Sequence, residues 1–364
     1  MTIIHSILSK LRNKLNIQQP KGMVISIEEI PTTTKRIFAS EQQVVHTPEI
    51  SQMQFLEKAK HLQNSEYHIP EIYTTVLENV LYCPKYNIIM SETRKIINES
   101  INTALDGYID YNFLLHAEIK TLPGWNAVFR SIHNNFYHAM IDNIPRTSLL
   151  AKDENYLNND VQLVSSSPLK GIETFFLEKI FKDKPNVKVL NTKYLYKVEK
   201  LIFPSFLTQR FAGFLPSVYL QDILPKVLPK REPKRNKRIY ISRVKSAWRK
   251  VRSIENEDAL FEIIKLLGFE KYVLENLNLT EQIELFYNAE IVMGPHGAGF
   301  TNLLFAGPIH VIELFPTQQV VPHYYFLSKS LNQHYHHWCG SESSKNSNFK
   351  VNIDEIKKIL EQII

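Results

Sequence analysis

The chain has 364 residues, 44% hydrophobic and 22% charged. That excludes a disordered polymer and exceeds the ~250–300 residues at which one core usually stops growing, so two domains are expected. A net charge of +6 and a pI near 9.0 suit an anionic ligand or a membrane surface but are too weak to argue for nucleic acid. Cys83 and Cys339 are the only cysteines, which excludes a disulfide framework or thiolate metal cluster and favours a reducing compartment.

No run approaches ~18 apolar residues, so no segment is expected to span a bilayer. Within residues 1–16, Ile3, Ile4, Ile7, Leu8, Leu11 and Leu15 recur at helical spacing opposite Lys10, Arg12 and Lys14. Such a helix could lie on a membrane surface as a peripheral contact, or dock on protein. It lacks the apolar core and cleavage site of a signal peptide. Residues 17–70 read as polar and irregular, with a short strand at Met23–Ile27. Ile72–Tyr82 and Asn87–Ser91, around Cys83-Pro84-Lys85, predict a hairpin.

In Ala127–Arg146 the pattern predicts a strand at Val128–Ile132, a break at Asn134-Asn135 and a helix from Phe136 to about Ile144. His138 and Asp142 are i and i+4, hence on one helical face. A carboxylate bonded to an imidazole fixes its tautomer and raises its basicity, which suits a general base. The same spacing also describes a plain solvated ion pair. Further on, Val161–Val164, Val187–Leu190 and Val198–Phe203 read as strands. Leu169–Phe181 reads as a helix with Ile172, Phe175, Phe176 and Ile180 in one stripe.

Pro225 to Arg238 holds three prolines and seven basic residues, an exposed, semi-extended connector and the predicted domain boundary. Beyond it, strands at Arg238–Ser242, Phe269–Leu274, Glu290–Gly294, His310–Phe315 and Tyr335–Trp338 alternate with helices. Those helices fall at Asn256–Leu267, Thr280–Ala289 (capped by Thr280 or Asn278), Phe300–Phe305, Tyr324–Leu331 and Ile353–Ile364. This rhythm predicts a parallel, doubly wound sheet.

Only 11 of 364 residues are glycine, roughly 3% against a usual ~7%, yet Gly294, Gly297, Gly299 and Gly307 cluster. The stretch Ile291–Leu304 reads as a strand feeding a glycine-rich turn and a helix start, an arrangement that holds anions. Its G-x-x-G-x-G spacing is neither the dinucleotide nor the P-loop pattern. The glycines are expected to provide φ > 0 or close ligand approach. Sites of such sheets lie at the carboxyl ends of the strands. Arg243 falls there, Arg249 and Arg252 follow in a loop, and Glu313 sits near another strand end. Arginine clamps phosphate bidentately, and a carboxylate at such an end can accept from ribose hydroxyls.

Together these stretches resemble glycosyltransferase family 61. The first motif is Asn135-Phe136-Tyr137-His138-Ala139-Met140-Ile141-Asp142-Asn143-Ile144-Pro145-Arg146. The second set runs through Ile241-Ser242-Arg243, Asn256-Glu257, Leu279-Thr280-Glu281-Gln282, Gly294-Pro295-His296-Gly297-Ala298-Gly299, Thr301-Asn302 and Ile312-Glu313-Leu314-Phe315-Pro316. The likeness covers roughly residues 125–340.

The resemblance implies an α/β, GT-B-like fold: two Rossmann-like doubly wound domains facing a cleft, with an extra N-terminal α+β segment. The expected divisions are 1–120 (N-terminal helix and small β-rich segment), 121–225 (acceptor-side domain), 226–236 (linker), 237–345 (nucleotide-sugar domain) and 346–364 (C-terminal helix). It further implies an inverting, metal-independent hexosyl- or pentosyltransferase with no cofactor. Its donor would be a nucleotide sugar, usually a UDP-sugar; the family's donors include UDP-xylose and UDP-N-acetylglucosamine. The acceptor would be a glycan, lipid-linked glycan or glycoprotein, in bacteria in capsule or other surface polysaccharide. Such an enzyme would be cytoplasmic or peripheral at the inner face of the membrane.

On this reading Asp142 takes the acceptor proton with His138 as its partner, or the reverse. Arg243, Arg249, Arg252, His296, Gly297, Ala298, Gly299, Thr301, Asn302 and Glu313 hold the donor, with Glu313 on the ribose. Asn135, Tyr137 and Arg146 lie on the acceptor side. Ala139 departs from the aromatic found after the histidine in many bacterial members, which bears on the acceptor surface. Two rival readings are a hydrolase with a metal on His323, His334, His336 and His337, and a non-catalytic glycan- or nucleotide-binding relative.

Overall fold

The computed structural model describes residues 22–30, 34–45, 66–102, 109–133, 135–208, 215–244, 252–316, 320–340 and 347–364. Contacts divide the chain into two compact units, Met1–Glu41 with Pro70–Arg210, and Gln42–Ile69 with Phe211–Ile364. The division thus falls upstream of the basic proline-rich run. The amphipathic stretch 1–16 and Arg249 lie outside the described residues.

In chain order the strands begin with β1 (Val24–Ile25) and β2 (Thr34–Ala39), then β3 (Gln42–Val45) and β4 (Glu66–Ile69), which pair only with each other. The first unit continues with β5 (Ile72–Cys83), β6 (Ile88–Met90), β7 (Ile96–Ile97), β8 (Ile119–Ala127), β9 (Val161–Ser165), β10 (Val187–Val189) and β11 (Leu195–Pro204). Its nine strands form one sheet ordered β1-β7-β6-β5-β11-β8-β9-β10, with β2 on β5. Strands β11, β8, β9 and β10 are mutually parallel, whereas β5 runs antiparallel to β11, β6 and β2.

This corrects the expectation of two doubly wound halves. The first sheet is mixed, because connections as short as that between Cys83 and Ile88 can join only antiparallel neighbours. The predicted hairpin is present, but it belongs to the large sheet and not to a separate N-terminal one. The strand expected at Val128–Ile132 lies earlier, at β8. Pro123 and Gly124 (φ 70°) interrupt β8's alternation, and the register with β11 shifts there, as a bulge requires. Val128 and Phe129 leave the ladder but stay in the core. Helix Gly171–Ile180 joins β9 to β10 and buries Glu173, Phe176, Leu177 and Ile180, so Ile172 and Phe175 lie at the margin of the apolar face.

The second unit is the parallel sheet the sequence predicts. Strands β12 (Lys237–Ile241), β13 (Phe269–Tyr272), β14 (Ala289–Pro295), β15 (His310–Phe315) and β16 (His334–Cys339) are ordered β13-β12-β14-β15-β16, all parallel. Alternation sorts their side chains. Tyr240, Ile291, Met293, Ile312 and Leu314 pack with Leu260 and Ile264 of helix Glu257–Lys265 and with Ile356 and Leu360 of helix Ile353–Glu361. The intervening residues, Glu313 and Phe315 among them, point to the other face. Each fully buried Leu, Ile or Phe contributes about 1.5–3 kcal/mol. Helix Leu279–Tyr287 starts on Asn278, whose side chain accepts from Glu281 N while Glu281 returns to Asn278 N; this is a capping box.

The strand order has one reversal. The chain leaves β12 for β13 on one side and returns to β14 on the other, so the carboxyl ends of β12 and β14 flank the switch point where such sheets bind ligands.

Candidate active site

Two groups of side chains, one in each unit, have the chemistry the sequence singled out. In the first unit, residues 136–150 form a continuous helix with a π-helical centre: Phe136–His138 is α, Ala139–Asn143 is π and Ile144–Leu150 is α. Pro145 explains the wide turn. It has no N–H for the carbonyl four residues back and its ring crowds that carbonyl, so the backbone opens to a longer bond. Ile144 N–H donates to Ala139 O. Asn135 caps the helix by accepting from His138 N at 3.1 Å.

His138 Nδ1 lies 2.5 Å from Asp142 Oδ2. Asp142 is 4% exposed, while the His138 side chain is 24% exposed. The imidazole of His133 stacks on His138 at 4.6 Å, and Tyr137 meets it edge-on at 5.2 Å. Burial, and secondly His138, hold His133 below the ordinary histidine pKa, with Asp142 pulling the other way.

Arg146, one further turn along, is enclosed. Its guanidinium donates to the carbonyls of Pro204, Phe129 and Arg130 at 2.9, 3.1 and 3.2 Å. Phe206 and Phe203 cover it at 4.2 and 5.0 Å. Burial lowers its pKa to about 9, opposed by Asp142. Arg146 therefore braces the strand ends beneath Asp142 and does not present a charge to an acceptor. Arg130, which the sequence reading passed over, is likewise buried, in a bidentate pair with Glu173 at 2.8 and 2.5 Å.

In the second unit Arg243 follows β12, and the turn 296–299 follows β14. Arg243 Nη1 donates to His296 O at 2.9 Å. Arg252 enters from the loop with φ 62°, a left-handed conformation costly for a side-chain-bearing residue. Burial and Arg252 lower the pKa of Arg243 to about 10, and burial also lowers that of Arg252. The Nε atoms of both arginines are enclosed with no hydrogen-bond partner among the described residues. Buried donors without partners are costly, and two cationic ones at a switch point suit a bound oxyanion.

His296 is 5% exposed and Glu313 0%. His296 Nδ1 is 2.5 Å from Glu313 Oε1, and the Tyr335 hydroxyl donates to Oε2 at 2.6 Å. Both carboxylate oxygens are thus engaged inside the protein. This corrects the expectation that Glu313 reaches for a ribose: alternation along β15 directs it inward, onto His296. Phe315, two residues on, stacks on the same imidazole at 5.3 Å.

The glycines also need a different explanation. None of Gly294, Gly297 and Gly299 lies in the left-handed region between +20° and +160°; Gly297 is extended at φ 172°. A Cβ on Gly294 would meet Ile241 O at 2.7 Å, and one on Gly299 would meet Leu274 Cδ1 at 2.9 Å. A Cβ on Gly297 would overlap Arg243 Nη1. Close packing against backbone requires Gly294, whereas at Gly297 and Gly299 the space is taken by the ends of the Arg243 and Leu274 side chains. Ala298–Phe305 is a 3-10 helix, and the amides of a first helical turn lack intrahelical partners. Thr301 and Asn302 are buried. Thr301 lies 3.3 Å from the Tyr324 hydroxyl, and Asn302 donates to Gln282 and to Gly299 O, each at 3.0 Å. They shape the turn from below.

Residues 136–312 match the model of a family described as Glycosyltransferase 61. The chain belongs to glycosyltransferase family 61. No curated protein matches it. In this glycosyltransferase family 61 member the matched span opens at the helix bearing His138 and Asp142 and closes one residue before Glu313. A sugar donor and a glycan acceptor are the general substrates of such a family.

The histidines of the rival metal reading do not converge. His334 and His336 lie on one face of β16, against His310 at 4.8 and 5.5 Å, while His337 neighbours Tyr335 and His323 neighbours His296. Among the described residues no group of three or more His, Cys, Asp or Glu side chains could hold a metal ion, and no helix is long and apolar enough to cross a membrane. Sequence reasoning missed Tyr324 and Tyr335, because strand register and helix packing, not spacing, bring them to His296.

Proposed function

We propose that this glycosyltransferase is an inverting, metal-independent enzyme. In this reading the second unit holds the diphosphate of a nucleotide sugar, most simply a UDP-sugar, and the first supplies the base for a glycan hydroxyl. The observation that carries the reading is the convergence of Arg243, Arg252 and His296 at the switch point of a parallel sheet, with two enclosed guanidinium Nε atoms that have no hydrogen-bond partner among the described residues. Without a metal, the charge developing on the leaving diphosphate must be met by preorganised cations and amides. A helix N-terminus supplies only about 0.3–1 kcal/mol, up to ~2 when partly buried, so the arginines carry most of that work.

Inversion is a single in-line displacement. The acceptor oxygen forms the new bond to the anomeric carbon as the bond to the diphosphate breaks, and the hydroxyl proton passes to the base. The exposures favour His138 as that base, reversing the preference for Asp142 drawn from sequence. Asp142, nearly enclosed, accepts Nδ1–H and leaves Nε2 of the more accessible imidazole to take the proton,. Arg146 then supports Asp142 from within.

The donor in surface-polysaccharide or glycoconjugate synthesis, and a cytoplasmic or peripheral membrane location, are part of the same proposal. It is tested by screening UDP-, GDP- and CMP-sugars for thermal stabilisation and then for transfer, since a ligand at ~100 Kd adds about 2.7 kcal/mol. Stabilisation with transfer supports an enzyme. Stabilisation with no transfer to any glycan offered would favour the non-catalytic reading.

A further inference from the structure

His296, Glu313 and Tyr335 form a buried hydrogen-bonded chain, and the donor-site reading gives it no task. We propose that Glu313 and Tyr335 are positioning residues that make His296 a conditional cation: uncharged in the free protein, and converted to imidazolium by the carboxyl proton of Glu313 when a phosphate oxyanion joins Arg243 and Arg252. This rests on the reading of that edge as a diphosphate site.

The geometry sets the route. Glu313 Oε1 and His296 Nδ1 are 2.5 Å apart, and the Tyr335 hydroxyl donates to Oε2 at 2.6 Å. In the free protein the Glu313 O–H donates to Nδ1, and the ring's own proton sits on Nε2. The pair then has no net charge. On anion binding the O–H bond breaks and an Nδ1–H bond forms. The ring now carries two N–H groups, and the new carboxylate is held by Nδ1–H and by the tyrosine O–H. No proton is exchanged with water.

The surrounding charges explain why the switch needs an anion. Arg243 faces the imidazole from the end of β12 and Arg252 from the following loop. Glu313 faces it from β15, Tyr335 lies behind on β16, and His323 and Tyr324 approach from helix His323–Ser330. Burial and both arginines oppose a charge on His296, and burial raises the Glu313 carboxyl pKa toward the protonated form, with the Tyr335 hydrogen bond and Arg252 pulling the other way. Tyr335 stays a donor because burial and Glu313 raise its hydroxyl pKa. A phosphate oxyanion cancels the repulsion from the arginines, which is the largest charge-specific obstacle to an imidazolium. The ion pair so formed gives Nε2–H the strength of a charge-assisted donor. An apolar site that keeps a carboxylic acid neutral until its proton is needed has precedent in enzyme chemistry.

The test uses UDP as probe on the full chain, with affinity measured by calorimetry from about pH 6 to 8.5. In Glu313→Gln the ring loses its internal proton source. UDP should bind about tenfold more weakly than to the wild type at pH 8, and the gap should close toward pH 6, where solvent supplies the proton. Comparing the two proteins at each pH removes the titration of UDP itself. Tyr335→Phe, which unbinds Oε2 and disfavours the carboxylate, should weaken UDP without that recovery. A gap independent of pH overturns the proposal. Nitrogen-15 spectra of the labelled wild-type histidines give a reading that does not depend on variants folding: UDP should convert His296 from one protonated nitrogen to two. A ring that stays neutral while UDP binds through Arg243 overturns the proton transfer alone. If UDP, GDP and pyrophosphate bind the wild type no more tightly than they bind Arg243→Ala, the donor-site reading fails and the proposal with it.

Discussion

The guanidinium of Arg243 occupies the space that a side chain on Gly297 would need, while its Nη1 holds the His296 carbonyl at 2.9 Å. The glycine is thus a seat for the arginine. In Gly297→Ala the methyl group displaces the guanidinium, with no backbone penalty because φ is 172°. Donor affinity should fall at least about tenfold, or about 1.4 kcal/mol, with a smaller change in unfolding midpoint. Calorimetry with the stabilising nucleotide sugar checks this, and an unchanged affinity would remove Arg243 from the donor site.

His138 and Asp142 should differ from the donor residues in what they affect. Asp142→Asn should lower kcat by about 10²–10⁴ with donor binding retained, because the imidazole loses the group that fixes its tautomer. His138→Gly should lose at least as much and be partly rescued by added imidazole. Transfer by His138→Gly within a few fold of the wild type would return the base role to Asp142.

Arg146 is predicted to matter for stability first. Arg146→Met leaves the carbonyls of Phe129, Arg130 and Pro204 without their donors in a dry site, at about 1–3 kcal/mol for each buried group left unpaired. A loss of about 3 kcal/mol or more in urea unfolding is expected. A midpoint like that of the wild type would contradict the bracing role.

The buried pair His296–Glu313 also has a signature in stability against pH. Glu313 is raised above its ordinary 4.5, so the folded protein keeps a proton that the unfolded chain gives up, and this contribution is lost as pH rises from 4.5 toward the raised value. His296 is depressed below 6.5, so its contribution is present above 6.5 and lost as pH falls through that value. Between 4.5 and 6.5 the two oppose each other, each with a slope approaching about 1.4 kcal/mol per pH unit. The stability of the wild type minus that of Glu313→Gln should therefore fall as pH rises above 4.5 toward the raised Glu313 value in urea titrations,. A difference that does not move with pH would mean Glu313 is ionised in the folded protein.

If leaving-group charge is met by Arg243, Arg252 and His296, the initial transfer rate should be unchanged in excess EDTA. A rate that collapses in chelator and returns with Mn²⁺ or Mg²⁺ would replace the metal-independent mechanism.

Much of the second unit was legible in the sequence. Strands buried on both faces read as continuous apolar runs, and caps and glycines punctuate the helices, so β12 to β16 lie within a few residues of their predicted places. His138 and Asp142 were legible too, since i,i+4 spacing within one helix is local geometry. The mixed sheet of the first unit was not. Whether β5 pairs with β11 depends on residues more than a hundred positions apart, and neither strand encodes its partner. The roles of Glu313, Gly297 and Arg146 were hidden for the same reason. Sequence places a carboxylate at a strand end, a glycine in a turn and an arginine on a helix. Only the packed structure decides that the carboxylate turns inward to His296, that the glycine makes room for Arg243, and that Arg146 holds the strand ends. Local spacing determined which chemical groups this chain has, and long-range packing determined which of them remain available to a substrate.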